Sequence, residues 1–198
     1  MANFGLSKPW MASLNPSTGA YSNAFKCGRA VNTSVVPNYN NGKMFADNQQ
    51  VEDVSEFINA SVTLGVDALP ATAPSVLFGH TVGEDGTETS AANDSGTYVG
   101  YGFITNEVVD GVKKYRACLL LKVKFTEGEE SYQTKGDSIT FANPNLAGTA
   151  LAVESGEWRK KSPYFTTETA ADAWLQEELG VEQPDPDPDP EGDGDVNG

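Results

Sequence analysis

Between Val112 and Phe125 the chain reads VKKYRACLLLKVKF, and apolar residues recur at every second position: Ala117, Leu119, Leu121, Val123 and Phe125. Side chains along a strand point alternately to its two faces, so this period predicts a long half-buried β-strand. The intervening positions include Lys114, Arg116, Lys122 and Lys124, which reads as one basic, wet face. Just upstream, TYVGYGFITNEVV is rich in aromatic and β-branched residues, and Asp110-Gly111 separates the two runs. Both residues of such a pair tolerate the positive φ that a tight hairpin turn demands. One long hairpin is therefore expected from about Thr97 to Phe125.

The same period recurs elsewhere. In FINASVTLGV (57–66) the even set Ile58, Ala60, Val62, Leu64 and Val66 is the expected core face. PWMASL and AFKCGRAVNTSVV predict two strands, separated by the turn-forming Asn15–Gly19 cluster. DSITFA (137–142), LAGTALAV (146–153) and EWRKK (157–161) complete a count of about eight strands. Two helices are expected. A short one at about 72–79 has Thr72 at its start, Pro74 in its first turn and Gly79 after its end. A C-terminal one at about 167–179 places Ala171, Trp174, Leu175 and Leu179 on one face and Glu168, Asp172 and Gln176 opposite. The fold class is mainly β. One segment, PNYNNGKMFADNQQV (37–51), has no sustained period and reads as a long polar loop carrying stranded Tyr39, Met44 and Phe45. A loop of that length in a compact domain is usually functional. Gly83–Gly96, acidic and small, reads as a mobile hairpin tip.

Charge then restricts function. The 198 residues hold 28 acids and 13 bases, a formal net charge of −15. Nucleic-acid readers need basic surface to replace counterions, and a polybasic membrane anchor needs the same. From Glu182 the chain runs EQPDPDPDPEGDGDVNG, with seven acids and no base, leaving 21 acids against 13 bases, or −8, in residues 1–181. Alternating Asp and Pro offer no face to bury, so the expected organisation is a folded domain over 1–181 and an extended acidic tail or linker over 182–198. No apolar run reaches membrane-spanning length, and MANFGLSKPW lacks the pattern of a secretory signal. The expected compartment is a reducing cytoplasm, with Cys27 and Cys118 as free thiols.

Catalytic constellations are not found. His80, in FGHTV, is the only histidine, so a Ser/His/Asp triad would depend on it, and no G-x-S-x-G elbow accompanies it. It reads as a structural residue donating to a neighbouring carbonyl or side chain. One histidine and two cysteines exclude a His/Cys zinc site. Asp85, Glu88 and Asp94 lack calcium-loop spacing, and pairs such as Glu52-Asp53 and Glu129-Glu130 read as solvated. No phosphate or dinucleotide fingerprint is present. No enzyme, cofactor or metal is expected.

Several strings carry a resemblance together: GLSKPW (5–10), FKCGRAVNTSVVPNYN (25–40), ADNQQVEDV (46–54), LFGHTV (77–82), YVGYGFI (98–104), SYQTKGDSITF (131–141) and GEWRKKSPYFTTETAADAWL (156–175). In this order they resemble the major tail protein, or tail tube protein, of long-tailed siphophage-type bacteriophages. The resemblance covers about residues 5–180 and implies a β-sandwich or partly open barrel flanked by a helix. It further implies rings, hexameric in the family, stacked into a tube in the virion tail and assembled in the host cytoplasm. The tube would enclose the tape measure protein, meet tail terminator and distal tail proteins, and pass DNA without specific binding or a membrane role. On that reading 37–51 is the inter-ring loop, with Tyr39, Met44, Phe45 and Asp47 as contact residues. Lys114, Arg116, Lys122 and Lys124 would face the lumen or the next subunit. The competing reading is a non-catalytic carbohydrate-binding or immunoglobulin-like adhesion module, with an aromatic platform drawn from Trp10, Trp158 or tyrosines.

Overall fold

The computed structural model describes residues 2–129 and 143–181; the expected strand at 137–142, the string at 131–141 and the acidic segment 182–198 lie outside the described residues. In chain order the elements are β1 (Ala2–Leu14), β2 (Tyr21–Lys26), β3 (Ala30–Ala46), β4 (Gln49–Val66), α1 (Ala73–Leu77), β5 (Thr81–Val82), β6 (Glu88–Thr89), β7 (Val99–Val109), β8 (Val112–Glu127), β9 (Asn145–Leu151), β10 (Arg159–Lys161) and α2 (Glu168–Glu178). The fold is mainly β. The main antiparallel sheet runs β2-β1-β7-β8-β9-β4-β3, and β10 adds to β8 beside β9. β5 and β6 form a separate small hairpin, whose turn falls in the Gly83–Gly96 stretch that reads as a hairpin tip.

The sheet curls on itself into a partly open barrel. Tyr101 on β7 donates its hydroxyl to Thr33 Oγ1 on β3 at 3.0 Å, although three strands, β8, β9 and β4, lie between them in the sheet order. Met11, Val62, Leu64, Tyr101, Leu120, Val123, Phe125 and Leu146 fill the interior, and Leu77 and Phe78 from α1 cap it. The outer face is covered too. Trp10, Ile104, Ala117, Leu119 and Leu121 pack under Ala171, Leu175 and Leu179 of α2. That helix begins where the sequence predicts, with the Thr167 side chain accepting from Ala170 N, and ends at Gly180 with φ 65°. Gly102 lies beneath it because a Cβ there would sit 2.6 Å from Leu175 Cδ2.

The β7–β8 hairpin is present with Asp110 and Gly111 both at positive φ. Its expected single wet face is not. Val99 pairs with Val123 but Tyr101 with Leu120, so β8 carries one extra residue at Leu121–Lys122. A bulge of this kind reverses which parity points inward. Ala117, Leu119 and Leu121 therefore face α2, whereas Val123 and Phe125 face the interior with Cys118 and Leu120. Lys114 and Arg116 consequently lie on the opposite side of the sheet from Lys122 and Lys124, and the four cations share no face.

Three further expectations are corrected. AFKCGRAVNTSVV is two strands, broken at Cys27–Arg29, where Gly28 has φ 64° and a Cβ would meet Ala68 O at 2.1 Å. Asp172, expected on the solvent side of α2, is buried: its carboxylate accepts from Trp10 Nε1 at 2.8 Å and pairs with Lys8 Nζ at 2.6 Å. Residues 37–51 are not a loop, because β3 and β4 run through them as paired strands to a two-residue turn at Asp47-Asn48.

Candidate functional site

The β3–β4 hairpin is the feature that the core does not require. Pairing continues from Ala30↔Val66 to Ala46↔Gln49, but β9 covers β4 only from Ala60 to Gly65. From Asn38 to the tip the two strands pair only with each other among the described residues, nine residues of β3, a reach of about 30 Å at about 3.4 Å per residue. Asp47 (φ 50°) and Asn48 (φ 61°) form the left-handed turn, which Asp and Asn accept more readily than other side chains with a Cβ.

Polar ladders run along the arm: Asn38 Nδ2 donates to Asn59 Oδ1 at 2.8 Å, and Ser55 Oγ to Asn41 Oδ1 at 2.7 Å. The arm also carries large exposed apolar groups: Tyr39, Met44 (59% exposed), Phe45 (64%), Val51, Val54 and Ile58. Segment 38–58 holds one lysine against Asp47, Glu52, Asp53 and Glu56, a net charge of −3.

The root of the arm is anchored by an aromatic stack. Asn38 pairs with Asn59 and Tyr39 with Phe57, so Ile58 is the extra residue of a bulge. The bulge ejects Ile58 (55% exposed), expected on the core face, and turns Phe57 inward. Phe57 then lies on the Trp158 indole, centroids 4.6 Å apart and planes at 13°, with the Tyr39 ring edge-on to it at 5.9 Å. Arg159 covers the Trp158 ring at 4.4 Å. Phe57 and Trp158 were missed as a pair because nothing in either local pattern links residues a hundred positions apart.

Arg116, Lys122 and Lys124 are engaged within the subunit. Arg116 donates through Nε to Ser162 O and lies 4.8 Å over the Tyr164 ring. Lys114 stands opposite Glu107 in the hairpin register without a side-chain bond among the described residues, and the Tyr164 hydroxyl donates to the Glu107 carboxylate at 2.8 Å, a bond that raises the phenol pKa. Lys122 stands 4.7 Å over the Tyr98 ring, and Lys124 donates to Ser95 Oγ at 2.8 Å. Arg159 and Lys161 are exposed on β10, at the rim of a cleft of about 520 Å³ floored by Phe103 and Cys118. The thiols are unsuited to nucleophilic work. Burial pushes Cys27 up to about 12 and raises Cys118, whose cationic neighbours only partly offset it.

The indoles of Trp10 and Trp158 are committed to Asp172 and to the Phe57 stack, so neither forms an open aromatic platform. His80 is buried, and its Nδ1 lies 2.7 Å from Glu88 Oε1, in keeping with the structural role expected. That hydrogen bond, reinforced by Glu127, holds the imidazole pKa above its usual value. No protein-family model matches the chain, and no curated protein matches it.

Proposed function

We propose that the chain is a self-assembling structural subunit, of the kind that stacks as rings into the tail tube of a long-tailed phage. The observation that carries this reading is the arm. A two-stranded ribbon is marginal in water by itself, and this one presents apolar groups on both sides while both of its backbone edges are unpaired among the described residues. Such a ribbon gains stability once a second copy covers it. Its negative charge complements the exposed Arg159 and Lys161 on β10, and an arm meeting a different surface of its neighbour is a heterologous contact, which propagates into rings or stacks. In the tube, Tyr39, Met44, Phe45 and Asp47 belong to the contact between successive rings. Arg116 serves the subunit's own packing. The resemblance supplies the rest: a virion-tail location, a tape measure protein inside, and passage of DNA along an acidic wall that repels it.

Purified protein tests the reading directly. Light scattering with size-exclusion chromatography and negative-stain microscopy should show rings or hollow tubes that grow with concentration. A monodisperse monomer at every concentration and salt would refute it.

A further inference from the structure

We propose that His80 and Glu127, oriented by Glu88, bind a divalent transition-metal ion of the zinc class at the end of the barrel that α1 caps. The three residues come from three elements: His80 follows α1, Glu88 begins β6, and Glu127 ends β8. Ligand atoms from all three lie within 4.8 Å of one another.

The two ring nitrogens of His80 are in different states. Nδ1 is 2.7 Å from Glu88 Oε1 and 3.4 Å from Ser90 Oγ, so it carries the proton that Glu88 accepts. A carboxylate on one imidazole nitrogen fixes the tautomer and presents the other as a lone pair, the arrangement that orients metal-bound histidines. Nε2 makes no hydrogen bond to another described residue, yet it is not one of the fully buried polar atoms left without a partner, where only Asn106 Oδ1 stands among the described residues. It faces Glu127 Oε1 at 3.6 Å, too far for a hydrogen bond. That gap suits an ion: two ligands each about 2.1 Å from one metal and 3.6 Å apart subtend about 120°, near the tetrahedral angle.

Phe78 packs against the imidazole, centroids 5.3 Å apart, and limits its rotation. Glu88 and Glu127 also line a neighbouring cavity of about 330 Å³, which leaves room for water at the remaining coordination positions. One nitrogen and one carboxylate oxygen favour zinc, cobalt or nickel over calcium, which takes six or more oxygens. The site requires no second histidine, so it revises the expectation of no metal without contradicting the exclusion of a His/Cys cage.

The test is isothermal titration of the full chain, stripped by chelator, with Zn²⁺ and with Co²⁺ at pH 8, alongside Ca²⁺. The proposal expects one saturable site per chain for Zn²⁺ and Co²⁺, with visible cobalt bands for a low-symmetry nitrogen–oxygen site. Glu127→Gln, at an exposed side chain that leaves folding intact, should weaken Zn²⁺ by more than about 100-fold, and Glu88→Gln by about 10- to 100-fold. His80→Ala should abolish binding. Zn²⁺ affinity unchanged in Glu127→Gln, or equal heats for Ca²⁺ and Zn²⁺, would overturn the site and leave only diffuse attraction to an acidic surface.

Discussion

If the arm is buried between copies, replacing Met44 and Phe45 together by serine should cripple assembly and leave the subunit alone. Fully burying a methionine or phenylalanine side chain contributes about 1.5–3 kcal/mol. The subunit leaves Met44 59% and Phe45 64% exposed, so roughly 60% of that contribution is still to be gained on contact. For the pair this comes to about 2 to 3.5 kcal/mol per subunit contact, and the entropic cost of association cancels between variant and parent. At about 1.4 kcal/mol per decade, the critical concentration for sedimentable tubes should rise about 30- to 300-fold. Neither residue belongs to the buried clusters, so thermal unfolding of the dilute subunit should move by less than about 2 °C. The assay is pelleting across a concentration series, with circular dichroism melts of the unassembled fraction. An unchanged critical concentration would refute the argument, and so would a large loss of subunit stability, since the arm would then belong to the core.

Other outcomes follow from the packing. Asp172→Ala strands the Trp10 indole N–H and the Lys8 ammonium, and should destabilise the subunit by about 2–4 kcal/mol, with Asp172→Asn milder because it keeps an acceptor; chemical denaturation measures both. Phe57→Ala removes the stack on Trp158 and should cost about 2 kcal/mol while sharply increasing proteolytic cleavage within 38–58, read by mass spectrometry; an unchanged digest would show that the arm needs no anchor. Because the folded Cys27 thiol is raised to about 12, it stays protonated at pH 8, and alkylation there should be negligible until denaturant is added, whereas prompt labelling of the native protein would contradict its burial. Gly96→Ala would place a Cβ 1.8 Å from the Leu77 carbonyl oxygen, a backbone atom that cannot swing away, so a melting temperature within 1 °C of the parent would disprove that close approach.

Much of the architecture is legible in local pattern. Strand β8 and its Asp-Gly turn, both helices, and the inward set Ala60, Val62, Leu64 and Val66 follow from period, turn chemistry and, for α2, the Thr167 cap, because each reports on a handful of neighbouring residues; Thr72 precedes α1 without a side-chain capping bond. The arm escapes for a physical reason. Alternation appears only where one face of a strand is buried by the rest of the subunit. From Asn38 to Glu56 neither face is, so a regular ribbon carries the composition of a loop. The candidate residues Tyr39, Met44 and Phe45 stand out for being large and apolar in a polar stretch, not for any sign of pairing, and Asp47 enters only with the inter-ring loop that the resemblance implies.

What tertiary structure decided is concentrated at two bulges and one helix face. An extra residue at Leu121–Lys122 splits the four cations of β8 between opposite sides of the sheet, and the extra Ile58 turns Phe57 onto Trp158. A bulge is defined by the register of two partners, and one strand's sequence does not contain its partner's register. Asp172 is buried for a similar reason: Lys8 and Trp10, brought by β1, supply the charge and donor that make burial tolerable. The meeting of His80, Glu88 and Glu127 depends on where α1, β6 and β8 end in space, and a sequence with one histidine carries no spacing that could announce it. Composition and period thus determined a mainly β, acidic chain; the side to which each functional side chain points was settled by pairing between segments far apart along it.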